Sequence, residues 1–114
     1  MKSNKPKFKA EIICTDGSRH EIEYSPGKWF EDIGNEIKAV MSTLETFPIR
    51  TRPGFRVVCD EAAYMARPLP PVNEWASQQY REITGDSHHQ ILGDVAVIDF
   101  AALEAWYEAQ EGAL

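Results

Sequence analysis

Two short runs near the start of the chain alternate apolar and polar residues. In Lys7 to Cys14, Phe8, Ala10 and Ile12 share one face and Lys7, Lys9 and Glu11 the other; in Arg19 to Tyr24, His20, Ile22 and Tyr24 oppose Arg19, Glu21 and Glu23. A period of two marks a half-buried strand. The intervening Thr15-Asp16-Gly17-Ser18 holds an Asp-Gly pair that tolerates the positive φ angles of a tight turn. A β-hairpin with one buried face is predicted, with His20 half-buried on it.

The period then changes. Trp29, Ile33, Ile37, Val40, Met41 and Leu44 follow the spacing of one helical face, while Glu31, Asp32, Asn35, Glu36 and Lys38 fall on the other. Ser25-Pro26 supplies a cap-like residue and a first-turn proline, and Pro48 closes the segment. A long helix is predicted, with Trp29, Ile33, Ile37, Val40 and Leu44 buried. An Arg-bearing connection, Ile49 to Gly54, leads to a third strand at Phe55 to Cys59 and a loop from Asp60 to Pro71. Asn73 is placed to cap a second helix that runs to Thr84 and stops at Gly85. After a polar loop from Asp86 to Gln90, Val95 to Ile98 reads as a fourth, continuously apolar strand. Asp99 then caps a last helix through about Glu111.

The predicted order is ββαβαβα in one domain over residues 1–114, with 1–6 as a flexible basic tail. The fold class is α+β: a mixed sheet of about four strands with three helices, since strands joined across a helix can be parallel. At this length a core forms without metal or disulfide staples. Cys14 and Cys59 lie in apolar strand-like runs and read as small core residues of a reducing compartment.

Charge changes the picture more than composition does. The net charge of −6 combines a segment, residues 1–10, with four lysines and no acid, and a body at −10. An acidic body is a poor match for a phosphate backbone, which needs clustered Lys and Arg. A nucleic-acid reading through Lys2, Lys5, Lys7, Lys9, Arg50, Arg52 and Arg56 suffers accordingly, and a protein partner with a basic surface fits better. No apolar run reaches the roughly 18 residues of a membrane span, and no apolar signal core follows the basic N-terminus, so a cytoplasmic location is expected.

Little in the chain resembles a catalytic motif. His88-His89, with Asp86 and Asp94 nearby, lacks the partner spacing of a tetrahedral metal set. His20 as a general base would need a substrate that sequence cannot supply. Cys59 precedes Asp60-Glu61, and adjacent carboxylates raise a thiol's pKa. No Gly-rich phosphate loop is present, since Gly85 and Gly93 stand apart. The expectation is no catalytic residue, no metal and no cofactor.

Two sets of carboxylates remain: Glu31, Asp32 and Glu36 on the first long helix, and Glu104, Glu108 and Glu111 at i, i+4 and i+7 on the last, where no Lys or Arg follows Asp99. Such rows repel internally. Either they are solvated faces, or they form an acidic stripe that docks on a basic groove. Trp75, Trp106 and Tyr107 are candidate aromatic anchors beside them, though each type is more often core.

Val57-Val58-Cys59-Asp60-Glu61, Leu69-Pro70-Pro71-Val72-Asn73 and Gly93-Asp94-Val95-Ala96-Val97 form an ordered signature. Across the last two-thirds of the chain this resembles a family of small phage- and plasmid-borne proteins of unknown function. The resemblance implies a mobile-element setting and no biochemical activity. The leading expectation is a non-enzymatic accessory protein that binds another protein, in its concrete version an inhibitor of a CRISPR or restriction complex. The alternative is a small-ligand or nucleotide binder or enzyme using a pocket around the Pro-rich loop, Asn73 and the Gly93-Asp94 turn, with Arg67, Asn73 and Asp94 as ligand contacts.

Overall fold

The computed structural model describes residues 6–40 and 43–112. The hairpin forms as predicted: β1 (Phe8–Ile13) and β2 (Arg19–Tyr24) pair antiparallel, with Ala10 opposite Ile22. At the turn, the Ser18 N–H donates to Asp16 Oδ1 at 2.8 Å. His20 lies exposed on β2, the edge strand of the sheet, rather than half-buried.

The first long helix is shorter than its periodicity indicates. After a 3-10 turn at Pro26–Lys28, α1 spans Trp29–Glu36, and Ile37 follows as its cap. Ser25 makes no side-chain cap; its N–H donates to Asp32 Oδ2 at 2.9 Å. Lys38 takes φ 56°, and the Ala39 N–H closes on Gly34 O at 2.9 Å, which ends the helix. Val40 is therefore 44% exposed, and Leu44 belongs to a strand. The helical spacing continues across this stop only by coincidence, and Met41 lies outside the described residues.

That strand, β3 (Leu44–Pro48), is a fifth one that the sequence reading missed. It pairs antiparallel with β4 (Phe55–Asp60), placing Phe47 opposite Val57, and Pro48 sits at its end on an edge where no ladder bond is lost. α2 (Glu74–Thr84) begins at Asn73 and ends on Gly85 at φ 75°, as predicted. β5 (Val95–Asp99) and α3 (Phe100–Gly112) complete the fold, with Asp99 Oδ1 accepting the Ala102 N–H at 3.0 Å as the α3 cap.

The sheet order is β2-β1-β5-β4-β3, and every neighbouring pair is antiparallel. The expected mixed sheet of four strands is thus, among the described residues, an antiparallel sheet of five within a single α+β domain with three α-helices. The reason lies in the excursion between β4 and β5. Its two legs are stitched together by a bridge between Val72 and Leu92 and by the Asn73 N–H donating to Ile91 O at 2.8 Å. The chain re-enters the sheet at the end it left, so β5 must run against β4.

Inserting β5 in the middle buries it on both faces. Ala96 and Ile98 pack with Ile12, Tyr24, Val58, Ile33, Ile37 and Leu103, so α1 and α3 cover that face. Val95 and Val97 pack with Ile13, Phe47, Val57, Cys59 and Ala76, so α2 covers the other. This double burial explains the continuous apolar run of β5.

Candidate functional site

Because α1 and α3 cover the same face, both acidic sets belong to one layer. They do not form one surface. Leu103 turns inward, and Glu104, Glu108 and Glu111 are exposed along a cleft of about 210 Å³ floored by Trp29, Phe100, Leu103 and Tyr107. Trp29 meets Phe100 edge-to-face at 6.3 Å, and the Tyr107 hydroxyl donates to Pro26 O at 3.0 Å, which locks α3 to the entry of α1. Glu31 lines a separate concavity with Phe30, Gly34, Asn35, Ala39, Val40 and Leu44. Glu36 is exposed, and Asp32 is half-buried and bonded to the Ser25 backbone.

The ion pairs among the described residues are Lys9 with Glu21 at 3.6 Å and Arg19 with Glu11 at 3.4 Å, both on the hairpin. None of the α1 or α3 carboxylates shares in them. Trp106 is half-buried and lines another groove, of about 410 Å³, with Pro6, Ser25, Pro26, Gly27 and Lys28. It meets Tyr107 edge-on at 4.9 Å. Trp75 packs against the α2 face of the sheet, with the Arg19 guanidinium 5.4 Å from its ring.

The predicted pocket residues part company. A cleft of about 210 Å³ does open between the Pro-rich loop and the Gly93-Asp94 turn, lined by Pro70, Pro71, Gly93 and Asp94 together with Thr15, Lys38 and Asp60. Asp94 Oδ1 accepts the Thr15 N–H at 3.1 Å. Asn73 is not on its wall. It is 1% exposed; Nδ2 donates to Ile13 O and to Gly93 O, each at 3.0 Å, and Oδ1 accepts the Ala76 N–H at 3.0 Å. Both amide hydrogens are committed to the backbone, so Asn73 is a structural knot rather than a ligand contact. Arg67 turns back on its own loop, donating to Tyr64 O at 3.0 Å and Ala66 O at 2.7 Å.

Reactive chemistry is equally restrained. The Cys59 thiol is buried and pushed up to about 12, first by burial and then by the carboxylates of Glu45, Asp60 and Glu61. It holds its proton at neutral pH and cannot serve as a thiolate. His88 and His89 are exposed, and their backbone N–H groups donate to Asp86 Oδ1 at 2.9 and 3.2 Å, holding that carboxyl below its usual range. The His89 ring lies against Tyr80, 4.5 Å between centroids. Among the described residues no three His, Cys, Asp or Glu side chains are grouped as a metal ion requires, and no helix is long and apolar enough to cross a membrane.

Sequence reading passed over Tyr64, Met65 and Leu69, which are exposed on the loop after β4. The signal was there in Ala62-Ala63 and the prolines that fix the loop, but which side chains face outward is not a sequence property.

Compared with protein-family models, curated proteins and solved structures, the chain matches none.

Proposed function

We propose that this protein acts by binding another protein, with α3 presenting the contact surface to a basic segment of its partner. One observation carries the reading: Glu104, Glu108 and Glu111, outside the ion pairs found among the described residues, rim an aromatic-floored cleft. A Lys or Arg side chain entering it would lay its aliphatic stem on Trp29 and Phe100 and its charge among the glutamates. Complementary fields also speed encounter and reject acidic competitors. In its concrete form the partner is a host-defence complex whose nucleic-acid groove the acidic stripe occupies. That setting, a phage or plasmid product acting in the host cytoplasm, rests on the sequence resemblance and the charge of the body.

The test is affinity capture from host lysate with the wild type and with Glu104→Lys/Glu108→Lys/Glu111→Lys. Exposed charge changes alter stability by no more than about 0.5 kcal/mol, so the variant keeps its fold. A stoichiometric protein partner lost on charge reversal, and bound more slowly as salt shortens the steering field to about 8 Å, supports the reading. Capture indifferent to both reversal and salt refutes it, as does a co-purifying nucleotide in place of a protein.

A further inference from the structure

The segment between β4 and α2 is a fixed platform. At its start the Ala62 N–H donates to Asp60 Oδ1 at 2.9 Å, and the Met65 and Ala66 N–H groups close on the carbonyls of Ala62 and Ala63 at 2.9 and 3.0 Å. At its far end the Gly93 N–H donates to Pro71 O at 2.9 Å, beside the bridge between Val72 and Leu92. Ala62 and Ala63 face inward and are buried. The large side chains face outward: Tyr64 is 65%, Met65 51% and Leu69 57% exposed. Five large hydrophobic side chains are exposed among the described residues, and three of them stand on this one tied segment. Single exposed apolar residues need no explanation, but a set held on an ordered frame is a pre-organised group of anchors.

The surroundings name the occupant. Beside Tyr64 lies a cleft of about 160 Å³ that takes in Glu45, Asp60, Glu61 and His89, with no Lys or Arg in its lining. The oxygens of Asp60 are held by the Val40 and Ala62 N–H groups, at 2.8 and 2.9 Å. Glu45 and Glu61 are exposed and take no part in the ion pairs among the described residues. We propose that this platform is a second docking surface, taking a partner-protein segment that carries apolar residues for Tyr64, Met65 and Leu69 and a Lys or Arg for Glu45 and Glu61. A second copy of this chain would offer from this segment only Arg67, whose guanidinium is already turned onto Tyr64 O and Ala66 O, and anionic nucleic acid or lipid would be repelled by the carboxylates.

The platform lies where β4 ends and β5 begins, whereas α3 starts from the opposite end of β5. The two surfaces are therefore separable, and this one does not rest on the α3 reading. The experiment titrates the isotope-labelled full chain with a synthetic peptide of alternating Arg and Leu and follows the backbone amide shifts. Saturable shifts at residues 61–69 and 89–92 are expected, with binding there about tenfold weaker in Tyr64→Ala/Leu69→Ser at an unchanged melting temperature. Glu45→Gln/Glu61→Gln provides a second variant, expected to weaken the same shifts. Shifts confined to α3 overturn the platform while leaving the α3 reading standing. Equal shifts from a peptide with Glu in place of Arg overturn it too, as does self-association abolished by Tyr64→Ala/Leu69→Ser.

Discussion

The side-chain amide of Asn73 donates to the carbonyl oxygen of Ile13 across 3.0 Å of space and 60 residues of chain. With its bond to Gly93 and its cap on Ala76, it ties the end of β1, the entry to β5 and the start of α2 at one buried point.

Replacing that amide tests the knot. A helix cap alone would accept Asn73→Asp without loss, because the carboxylate caps as well as the amide. Here the carboxylate would face the Ile13 and Gly93 carbonyls with no hydrogen to give, at a cost on the order of 3 to 5 kcal/mol at neutral pH. Asn73→Ala should lose at least about 2 kcal/mol by removing cap and donors together. Urea unfolding measures both. The Asp deficit should shrink as the pH falls toward the ordinary carboxylate range and be smallest below it, because the protonated acid regains a donor.

The true end of α1 separates two neighbours on the helical pattern. Ile33 is fully buried and Ile37 5% exposed, so truncating either to Ala should cost about 2 to 5 kcal/mol. Val40 is exposed, so Val40→Ala should stay within about 0.5 kcal/mol. A helix continuing to Leu44 would make Val40→Ala costly as well.

Lys38 holds a left-handed conformation at φ 56°, which costs a residue bearing a Cβ about 1 kcal/mol. Lys38→Gly should therefore raise stability by about 0.5 to 1 kcal/mol in denaturant unfolding, despite the greater freedom of glycine in the unfolded chain. A loss of stability would mean that the lysine side chain makes a contact that outweighs its backbone.

Alkaline stability follows from two buried acids. The Cys59 thiol rises from its ordinary 9.0 to about 12, and the Tyr24 hydroxyl from 10.0 to about 12, the latter through burial and the nearby Asp99 charge. Each is raised in the folded state, so its contribution is complete below the unfolded value and is lost between that value and the folded one. Melting temperature should be insensitive to these groups up to about pH 9 and then fall toward pH 12. Cys59→Val should move the onset up to about 10, where Tyr24 begins to titrate. The Tyr24 hydroxyl is buried with no hydrogen-bond partner among the described residues, so Tyr24→Phe should match or exceed wild-type stability by up to about 1 kcal/mol.

What the sequence determined was local. The hairpin at Asp16-Gly17, α2 between Asn73 and Gly85, the buried run of β5 and the Asp99 cap are each written in neighbouring residues, because turn chemistry, capping and periodicity act over a few positions. β3 escaped that reading because Val40 and Leu44 happen to continue the spacing of α1. Only pairing of Phe47 with Val57, together with the Schellman-type stop at Lys38, decides for a strand. The antiparallel insertion of β5 between β1 and β4 was likewise beyond the sequence, since it depends on Val72 meeting Leu92 and Asn73 reaching Ile13. The candidate surfaces divide the same way. Glu104, Glu108 and Glu111 are legible from helical spacing, whereas the aromatic floor beside them, the committed amide of Asn73 and the outward set of Tyr64, Met65 and Leu69 exist only where distant segments pack together.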